Sequence, residues 1–147
     1  MSNSDNPIIG AEFQRQVKDW FNDHYNQDFK EEVKIHIGSP LVDPAEYKEH
    51  KFDIVSVDKT IAIECKRYTW TETWNVPSAK MRGTNEAAFY LSLLPSTYKK
   101  YIVMLAAYNP KRHEYLADYY YKINKHLLGD IVIAEYNPEN NGMRMLN

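Results

Sequence analysis

The sequence predicts a mixed α/β fold in a single domain, and three observations lead to this prediction. The chain has 147 residues, a length that fits one domain with one hydrophobic core. Apolar residues recur at helical spacing in some segments, whereas in others they alternate with polar residues or form short continuous runs, as strands do. No linker and no internal repeat divides the chain. We therefore expect one domain over residues 1–147, in which residues 1–7 form a flexible tail.

The first half of the chain predicts one helix and three strands. Apolar residues from Ile9 to Phe21 lie at helical spacing and predict an amphipathic helix over residues 8–25. Apolar and polar residues then alternate over residues 33–37, which predicts a strand with one solvated face. After a polar loop that contains a proline, residues 50–68 have the pattern of two strands that meet at a tight turn.

The second half begins with a helix and a buried strand. Ser78 or Thr84 can cap the helix, and Pro95 ends it. The near-continuous apolar run over residues 101–108 is typical of a strand that is covered on both faces. A strand of this kind is expected at the centre of the sheet.

A third helix and a last strand complete the chain. Asn109 followed by Pro110 predicts the start of this helix, and Gly129 ends it. Residues 131–136 predict the last strand. The helix is expected to bury one apolar face, formed by Leu116, Tyr120, Ile123 and Leu127. The order αβββαβαβ therefore predicts a mixed central sheet flanked by helices.

The predicted hairpin carries three ionisable side chains on one face. With a two-residue loop over residues 58–59, Glu64 lies directly opposite Asp53, and Lys66 lies on the diagonal. With a loop over residues 59–60, Lys66 lies opposite Asp53 instead. In both registers the three side chains share one face. The opposite face is expected to enter the core and is formed by Phe52, Ile54, Ser56, Ile61, Ile63 and Cys65.

Two carboxylates and an amine in this arrangement suit metal-assisted hydrolysis of a phosphodiester. Asp53 and Glu64 repel each other unless positive charge lies between them, and Mg²⁺ binds one or two carboxylates while it keeps waters for a phosphate substrate. Lys66 can hold the attacking water or stabilise the charge that develops on the phosphoryl group. The alternative is a surface ion-pair cluster in which Lys66 only compensates the two acids.

The hairpin residues resemble the PD-(D/E)XK nuclease superfamily, also called restriction-endonuclease-like. Its pattern is an aspartate on one strand followed by Glu-x-Lys on the next, and here Asp53 precedes Glu64-Cys65-Lys66. The segment IECKRY is similar to the corresponding strand of Mrr-type restriction enzymes and Holliday-junction-resolvase relatives, and GAEFQRQV is similar to the opening of Mrr-like proteins. Phe52 stands in the place of the family's proline.

The resemblance implies a set of site residues and a fold. Asp53, Glu64 and the backbone carbonyl of Cys65 would bind Mg²⁺, which Mn²⁺ can replace, and Lys66 would be the catalytic lysine. Many members add an acid from the first helix, for which Glu12 is the candidate because Gln14 occupies the place of the Mrr-like acid. The resemblance also implies a restriction-endonuclease-like sheet and a homodimer.

Three cations near the hairpin are candidates for nucleic-acid contact. Arg67 follows the lysine, and Lys80 and Arg82 lie near the start of the second helix, where a helix N-terminus with nearby cations suits phosphate. Ordinary surface charge is the alternative for each. The net charge of −2 argues against a protein that wraps nucleic acid but allows a local patch.

The sequence therefore predicts a Mg²⁺-dependent nuclease that acts on nucleic acid, with DNA as the expected substrate. The alternative is a catalytically silent module of the same fold that binds nucleic acid or a protein. A small-molecule enzyme would need a glycine-rich loop after a strand, and none is present. The single cysteine, the polar N-terminus and the lack of a membrane-length apolar run predict a cytoplasmic protein without membrane contact.

Overall fold

The computed structural model describes residues 7–147, with side chains from Gly10 onward. Within this part of the chain, three helices pack on a six-stranded mixed sheet, and a two-stranded hairpin lies outside it. In chain order the elements are α1 (Pro7–Tyr25), β1 (Phe29–Ile37), β2 (Lys48–Ser56), β3 (Ile61–Lys66), α2 (Ser78–Ser92), β4 (Lys99–Leu105), β5 (Tyr108–Asn109), β6 (Glu114–Tyr115), α3 (Leu116–Asn124), β7 (Val132–Asn137) and β8 (Gly142–Met145). The predicted mixed α/β class is confirmed.

The sheet combines antiparallel and parallel strands in the order β1-β2-β3-β4-β7-β8. Strands β1, β2 and β3 pair antiparallel, β3, β4 and β7 pair parallel, and β8 pairs antiparallel with β7. Helices α2 and α3 connect the parallel strands, as parallel pairing requires a crossover. The carboxyl ends of the parallel strands therefore lie along one edge of the sheet.

Both faces of the sheet are buried. Helix α1 covers one face, where Phe13, Val17 and Phe21 pack with Ile63 and Val103. On the other face lies the second cluster, to which α2 and α3 contribute and which includes Phe52, Val55, Ala62, Leu91, Ile102, Leu116, Tyr120 and Ile133. Full burial of a side chain such as Phe21 contributes about 1.5–3 kcal/mol to folding.

The hairpin between β2 and β3 has the register that a loop over residues 58–59 gives. Val55 lies opposite Ala62 and Ile54 opposite Ile63, so the first of the two registers considered above is confirmed. Lys59 adopts a left-handed backbone conformation with φ 56°. The hydroxyl of Ser56 accepts hydrogen bonds from the backbone N–H groups of Thr60 (3.1 Å) and Ile61 (3.0 Å), which closes the turn.

We expect Ser56→Ala to destabilise the fold by about 1–3 kcal/mol, because the buried hydroxyl is the acceptor for two backbone donors. Urea unfolding of the purified protein measures the change. Ser96→Ala is the matched control, since Ser96 is exposed and its loss should change the free energy of unfolding by less than about 0.5 kcal/mol. Equal stability of the Ser56 variant and the wild type would contradict the role of this turn.

The prediction of which hairpin residues share the apolar face is wrong in one respect. Phe52 and Ile54 were expected on one face, but Phe52 lies in the α2/α3 cluster and Ile54 in the α1 cluster. Opposite this point, Glu32 of β1 has a left-handed backbone with φ 56°, and the described β1–β2 ladder omits the pair of Glu32 and Asp53. This local distortion of the paired strands breaks the simple alternation of faces.

The third helix begins later in the structure than the sequence predicted, and fewer of its apolar residues are buried. Asn109 belongs to the β5–β6 hairpin, where its side-chain oxygen accepts hydrogen bonds from the N–H groups of Lys111 (2.9 Å) and Arg112 (3.2 Å). This Asx turn replaces the expected helix start. Helix α3 ends at Asn124, and Ile123 and Leu127, expected to be buried, are 47% and 55% exposed.

Smaller differences concern the ends of elements. Helix α2 starts at Ser78 without a side-chain cap, and Thr84 lies buried within it. Strands β4 and β8 differ from the prediction, since β4 ends at Leu105 rather than at residue 108 and β8 was not predicted. Of the tail predicted over residues 1–7, residues 1–6 lie outside the described residues, and Pro7 belongs to α1. No helix among the described residues is long and apolar enough to cross a bilayer.

Candidate functional site

A cavity of about 430 Å³ lies where β2 and β3 meet α1 and α2, and it contains the three residues singled out on the hairpin. Asp53, Glu64 and Lys66 all line it, so the structure brings the two predicted acids and the predicted lysine together. The remaining lining residues are Gly10, Phe13, Gln14, His50, Lys51, Cys65, Arg67, Gly83, Glu86, Ala87 and Tyr90.

Asp53 is held at both its side chain and its backbone. Its carboxylate oxygen Oδ2 accepts a hydrogen bond of 2.8 Å from the backbone N–H of Cys65, so the side chain occupies the place of a ladder bond to β3. Its backbone carbonyl accepts a hydrogen bond of 3.3 Å from Nε2 of Gln14 on α1. Gln14 also donates to Oε1 of Glu31 on β1 at 3.1 Å. These contacts fix the direction in which the Asp53 carboxylate points.

Glu64 is a buried carboxyl group with 6% of its surface exposed. Burial, the charge of Asp53 and a hydrogen bond between the two carboxyl groups together raise the pKa of Glu64 to about 9, although the charge of Lys66 opposes the shift. In the protein without a cation, Glu64 therefore holds a proton at neutral pH. A cation bound beside the two acids would offset the charge of Asp53 and favour the ionised form of Glu64.

His50 joins the site from β2. Its Nε2 lies 3.4 Å from Oε1 of Glu64, and its ring stacks on Tyr90 of α2 with centroids 3.8 Å apart and planes at 11°. Burial lowers the pKa of His50, while the charges of Asp53 and Glu86 oppose this shift. His50 thus lines the cavity, and its stacking on Tyr90 of α2 holds its ring beside Glu64.

Lys66, Arg67 and Cys65 continue along the end of β3. Lys66 and Arg67 are half-buried, and both line the cavity. Burial raises the pKa of the Cys65 thiol well above its usual value, with the charges of Asp53 and Glu64 adding to the shift, so the thiol is not a nucleophile at neutral pH. Cys65 is partly buried and packs against the α1 cluster, in line with its expected place on the face of the hairpin that enters the core.

The other predicted site residues lie elsewhere. Glu12 is exposed and lines a separate depression with Arg67, whereas Gln14 is the residue of α1 that reaches Asp53. Lys80 lines a cavity of about 550 Å³ between the start of α2 and the loop after β3. Arg82 is exposed on α2. Glu12, Lys80 and Arg82 are thus not among the described residues that line the cavity of Asp53.

Three carboxyl groups line the cavity, those of Asp53, Glu64 and Glu86, but they do not form a full set of side-chain ligands for a cation. Among residues 7–147, no group of three or more histidine, cysteine, aspartate or glutamate side chains is placed to hold a metal ion. The fold and this cavity define an α/β protein with a charged site at the sheet, in which three cationic side chains lie beside the three acids. No protein-family model matches the chain, and no curated protein matches it either.

Proposed function

We propose that the chain is a metal-dependent nuclease that hydrolyses phosphodiester bonds in DNA. The observation that carries the proposal is the convergence of the Asp53 and Glu64 carboxyl groups with Lys66 in one cavity. The order of the elements that hold them supports it, because an aspartate on β2 and Glu-x-Lys on β3, within an α-β-β-β-α-β arrangement, resemble the restriction-endonuclease-like fold. We extend that resemblance to this chain as a proposal.

The donor set fits a hard divalent cation. Asp53 and Glu64 offer carboxylate oxygens, and the third proposed ligand is the backbone carbonyl of Cys65, the residue whose N–H donates to Oδ2 of Asp53. These groups would hold Mg²⁺ or Mn²⁺, with waters and substrate oxygens as the remaining ligands. When bound, the ion supplies charge neutralisation at the phosphoryl group and lowers the pKa of a water.

The protein's own groups orient the reaction. Lys66 is proposed to hold the attacking water and to stabilise negative charge on the phosphoryl oxygens. The N–H of Cys65 and the side chain of Gln14 keep Asp53 in place, and His50 stacked on Tyr90 flanks Glu64. Such preorganised positioning is the main protein contribution to phosphoryl transfer.

Arg67 is proposed to contact the DNA backbone, since it lines the cavity next to Lys66. Lys80 and Arg82 lie on the exposed first half of α2 and are proposed to contact the backbone farther away. By the same resemblance we propose a homodimer, which would present two sites to two strands.

A catalytically silent module is the second candidate. The net charge of −2 and the lack of a group of three or more metal-binding side chains among the described residues favour it. In this case the cavity would bind a partner without hydrolysis. The two candidates differ in whether phosphodiester cleavage depends on added metal.

The decisive experiment incubates the purified protein with plasmid, single-stranded and four-way-junction DNA in Mg²⁺, in Mn²⁺ and in chelator. We expect cleavage of at least one substrate with metal, none with chelator, and a loss of about 10²-fold or more in Asp53→Asn. Glu49→Gln is the matched control, because Glu49 is an exposed carboxylate on the same strand. Absence of metal-dependent cleavage on all three substrates would favour the silent module, and cleavage that survives in Asp53→Asn would overturn the proposed site.

A further inference from the structure

A second cavity lies at the carboxyl edge of the parallel strands. Lys66 of β3 pairs with Met104 of β4, so the segments that follow both strands leave the sheet at the same edge. A groove of about 360 Å³ lies between these segments. Its lining residues are Thr69, Trp70, Thr71, Glu72, Trp74, Ala106, Ala107 and Tyr108.

We propose that this groove binds one unpaired nucleobase of a single-stranded nucleic acid. The inference rests on the proposed function for its choice of a nucleic-acid partner, and it extends that function by naming a single-stranded segment beside the site. Aromatic side chains that present a face to solvent are the usual platform for a base, since every base can stack on them.

Trp74 forms one wall and is held in a strained position. It has a left-handed backbone with φ 63°, which is unusual for a bulky residue, yet its side chain is 39% exposed. The backbone N–H of Trp74 donates to the backbone carbonyl of Thr71 at 2.9 Å. The backbone carbonyl of Trp74 accepts a hydrogen bond of 3.0 Å from Nδ2 of the buried Asn109. The fold thus fixes a large ring at the surface, and strain of this kind is concentrated at functional sites.

Tyr108 and Trp70 complete the aromatic part of the groove. Tyr108 is 45% exposed and packs edge-on against Tyr115, with centroids 5.1 Å apart. Trp70 is buried, and its Nε1 donates to the carbonyl of Ala107 at 2.9 Å, which ties the loop after β3 to the segment after β4. The walls are therefore anchored to each other before any ligand binds.

The charge in the groove favours a base over a phosphate. Among the described residues that line the groove, Glu72 is the charged one, and a carboxylate repels phosphate. A carboxylate accepts hydrogen bonds from the exocyclic amino group of a base, as it does from cytosine. Thr69 and Thr71 also line the groove, and their hydroxyl groups make hydrogen bonds with the backbone of the same loop.

The groove is within reach of a strand that occupies the candidate site. Thr69 lies three positions after Lys66, so their Cα atoms are at most about 11 Å apart. That distance is about three times the roughly 3.4 Å phosphate spacing along one strand of a duplex. A strand whose phosphate lies at Lys66 can therefore place a nearby unpaired base between Trp74 and Tyr108.

The test measures binding of fluorescently labelled oligodeoxycytidine to the full chain by anisotropy, in chelator and at one fixed salt concentration. We expect Trp74→Gly and Tyr108→Ala to bind about 5- to 150-fold more weakly than the wild type, as expected for one lost base stack. Trp74→Phe should restore most of the binding. Phe89→Ala is the control, because Phe89 is a ring on α2 that is more exposed, at 63%, and does not line the groove.

Folding of the key variant is checked by its melting temperature. Glycine fits the left-handed conformation of residue 74, so Trp74→Gly should melt no lower than the wild type, and weaker binding then reflects the lost ring. Three outcomes would each overturn the proposal that the groove binds a base. They are equal binding by wild type and Trp74→Gly, an equal loss of binding in Phe89→Ala, and no saturable binding by the wild type. Because binding is measured in chelator, it does not depend on cleavage. Groove-dependent binding in chelator, together with no cleavage in the Mg²⁺ and Mn²⁺ incubations of the decisive experiment, would remove the nuclease proposal alone.

Discussion

Substitution of Lys66 by methionine is expected to lower the rate of metal-dependent DNA cleavage by about 10²- to 10³-fold. The ammonium group lies in the same cavity as the two carboxyl groups, on the strand that also carries Glu64. Its proposed task is to hold the attacking water and to stabilise charge that appears in the transition state. Methionine keeps most of the length and apolar character of the stem, so the loss should fall on the rate rather than on folding.

Measurement of cation affinity distinguishes the proposed role of Lys66 in the reaction from the proposed role of the two acids in binding the cation. Lys66→Met should keep its affinity for Mn²⁺ within a few-fold, measured by calorimetry, or bind it more tightly because a competing positive charge is removed, whereas Asp53→Asn should lose it. Lys34→Met is the matched control, since Lys34 is exposed on β1, and it should cleave at the wild-type rate. An unchanged cleavage rate in Lys66→Met would remove the lysine from the mechanism.

Glu64→Gln is expected to stabilise the metal-free protein by about 1–3 kcal/mol at pH 8.5 while it abolishes metal-dependent activity. The pKa of Glu64 is about 9 in the folded protein against an ordinary value of 4.5, because the carboxyl group is buried beside Asp53. A glutamine of the same shape carries no charge and can donate a hydrogen bond to the Asp53 carboxylate. The wild-type acid thus costs stability that the amide does not.

The stability difference between wild type and Glu64→Gln is expected to grow as the pH rises. A carboxyl group whose folded pKa is raised destabilises the folded state as pH rises from about 4.5 through about 9, because the unfolded chain releases the proton first. Below about pH 4 the Glu64 carboxyl group is protonated in most folded and most unfolded molecules, so wild type and Glu64→Gln should have similar free energies of unfolding. Urea unfolding in chelator at pH 4 and pH 8.5 tests this, with Glu49→Gln as control. A stability difference that does not grow between these pH values would contradict the buried, paired state of Glu64.

The hairpin could be predicted from sequence because its information is local. Alternation of side chains and a two-residue loop suffice to place Glu64 opposite Asp53, and the observed pairing of Val55 with Ala62 has this register. The burial of both hairpin faces was not predictable in the same way. It depends on helices that pack from both sides. The placement of Phe52 and Ile54 in different clusters coincides with the left-handed backbone of Glu32, on a strand outside the hairpin.

The part of the site that comes from α1 shows a second limit. The apolar residues Phe13 and Val17 define the buried stripe of the helix, but residues on either side of that stripe can reach different cavities. Gln14 lies on the side of Asp53, and Glu12 lies on the other side, toward Leu105. The sequence favoured Glu12 for its charge, whereas the docking of the helix on the sheet decides which side faces the hairpin.

The loop regions were the least predictable because their signals are ambiguous. Asn109 followed by Pro110 is as typical of a turn as of a helix start, and the pairing of Tyr108 with Tyr115 decides for the turn. Trp74 and Tyr108 are far apart in sequence and become neighbours around one groove only through the parallel pairing of β3 with β4. The aromatic groove therefore could not be read from either segment alone.

The bond from the amide of Cys65 to Oδ2 of Asp53 gives the molecule an internal reporter. Most amide protons in a sheet sense a neighbouring carbonyl, but this one senses the position and charge of a carboxylate. Its chemical shift in a ¹⁵N-resolved NMR spectrum will respond when that carboxylate turns, gains a proton or binds an ion. Occupancy of the cavity can therefore be followed in the unmodified chain, on a resonance that needs no attached label and no turnover.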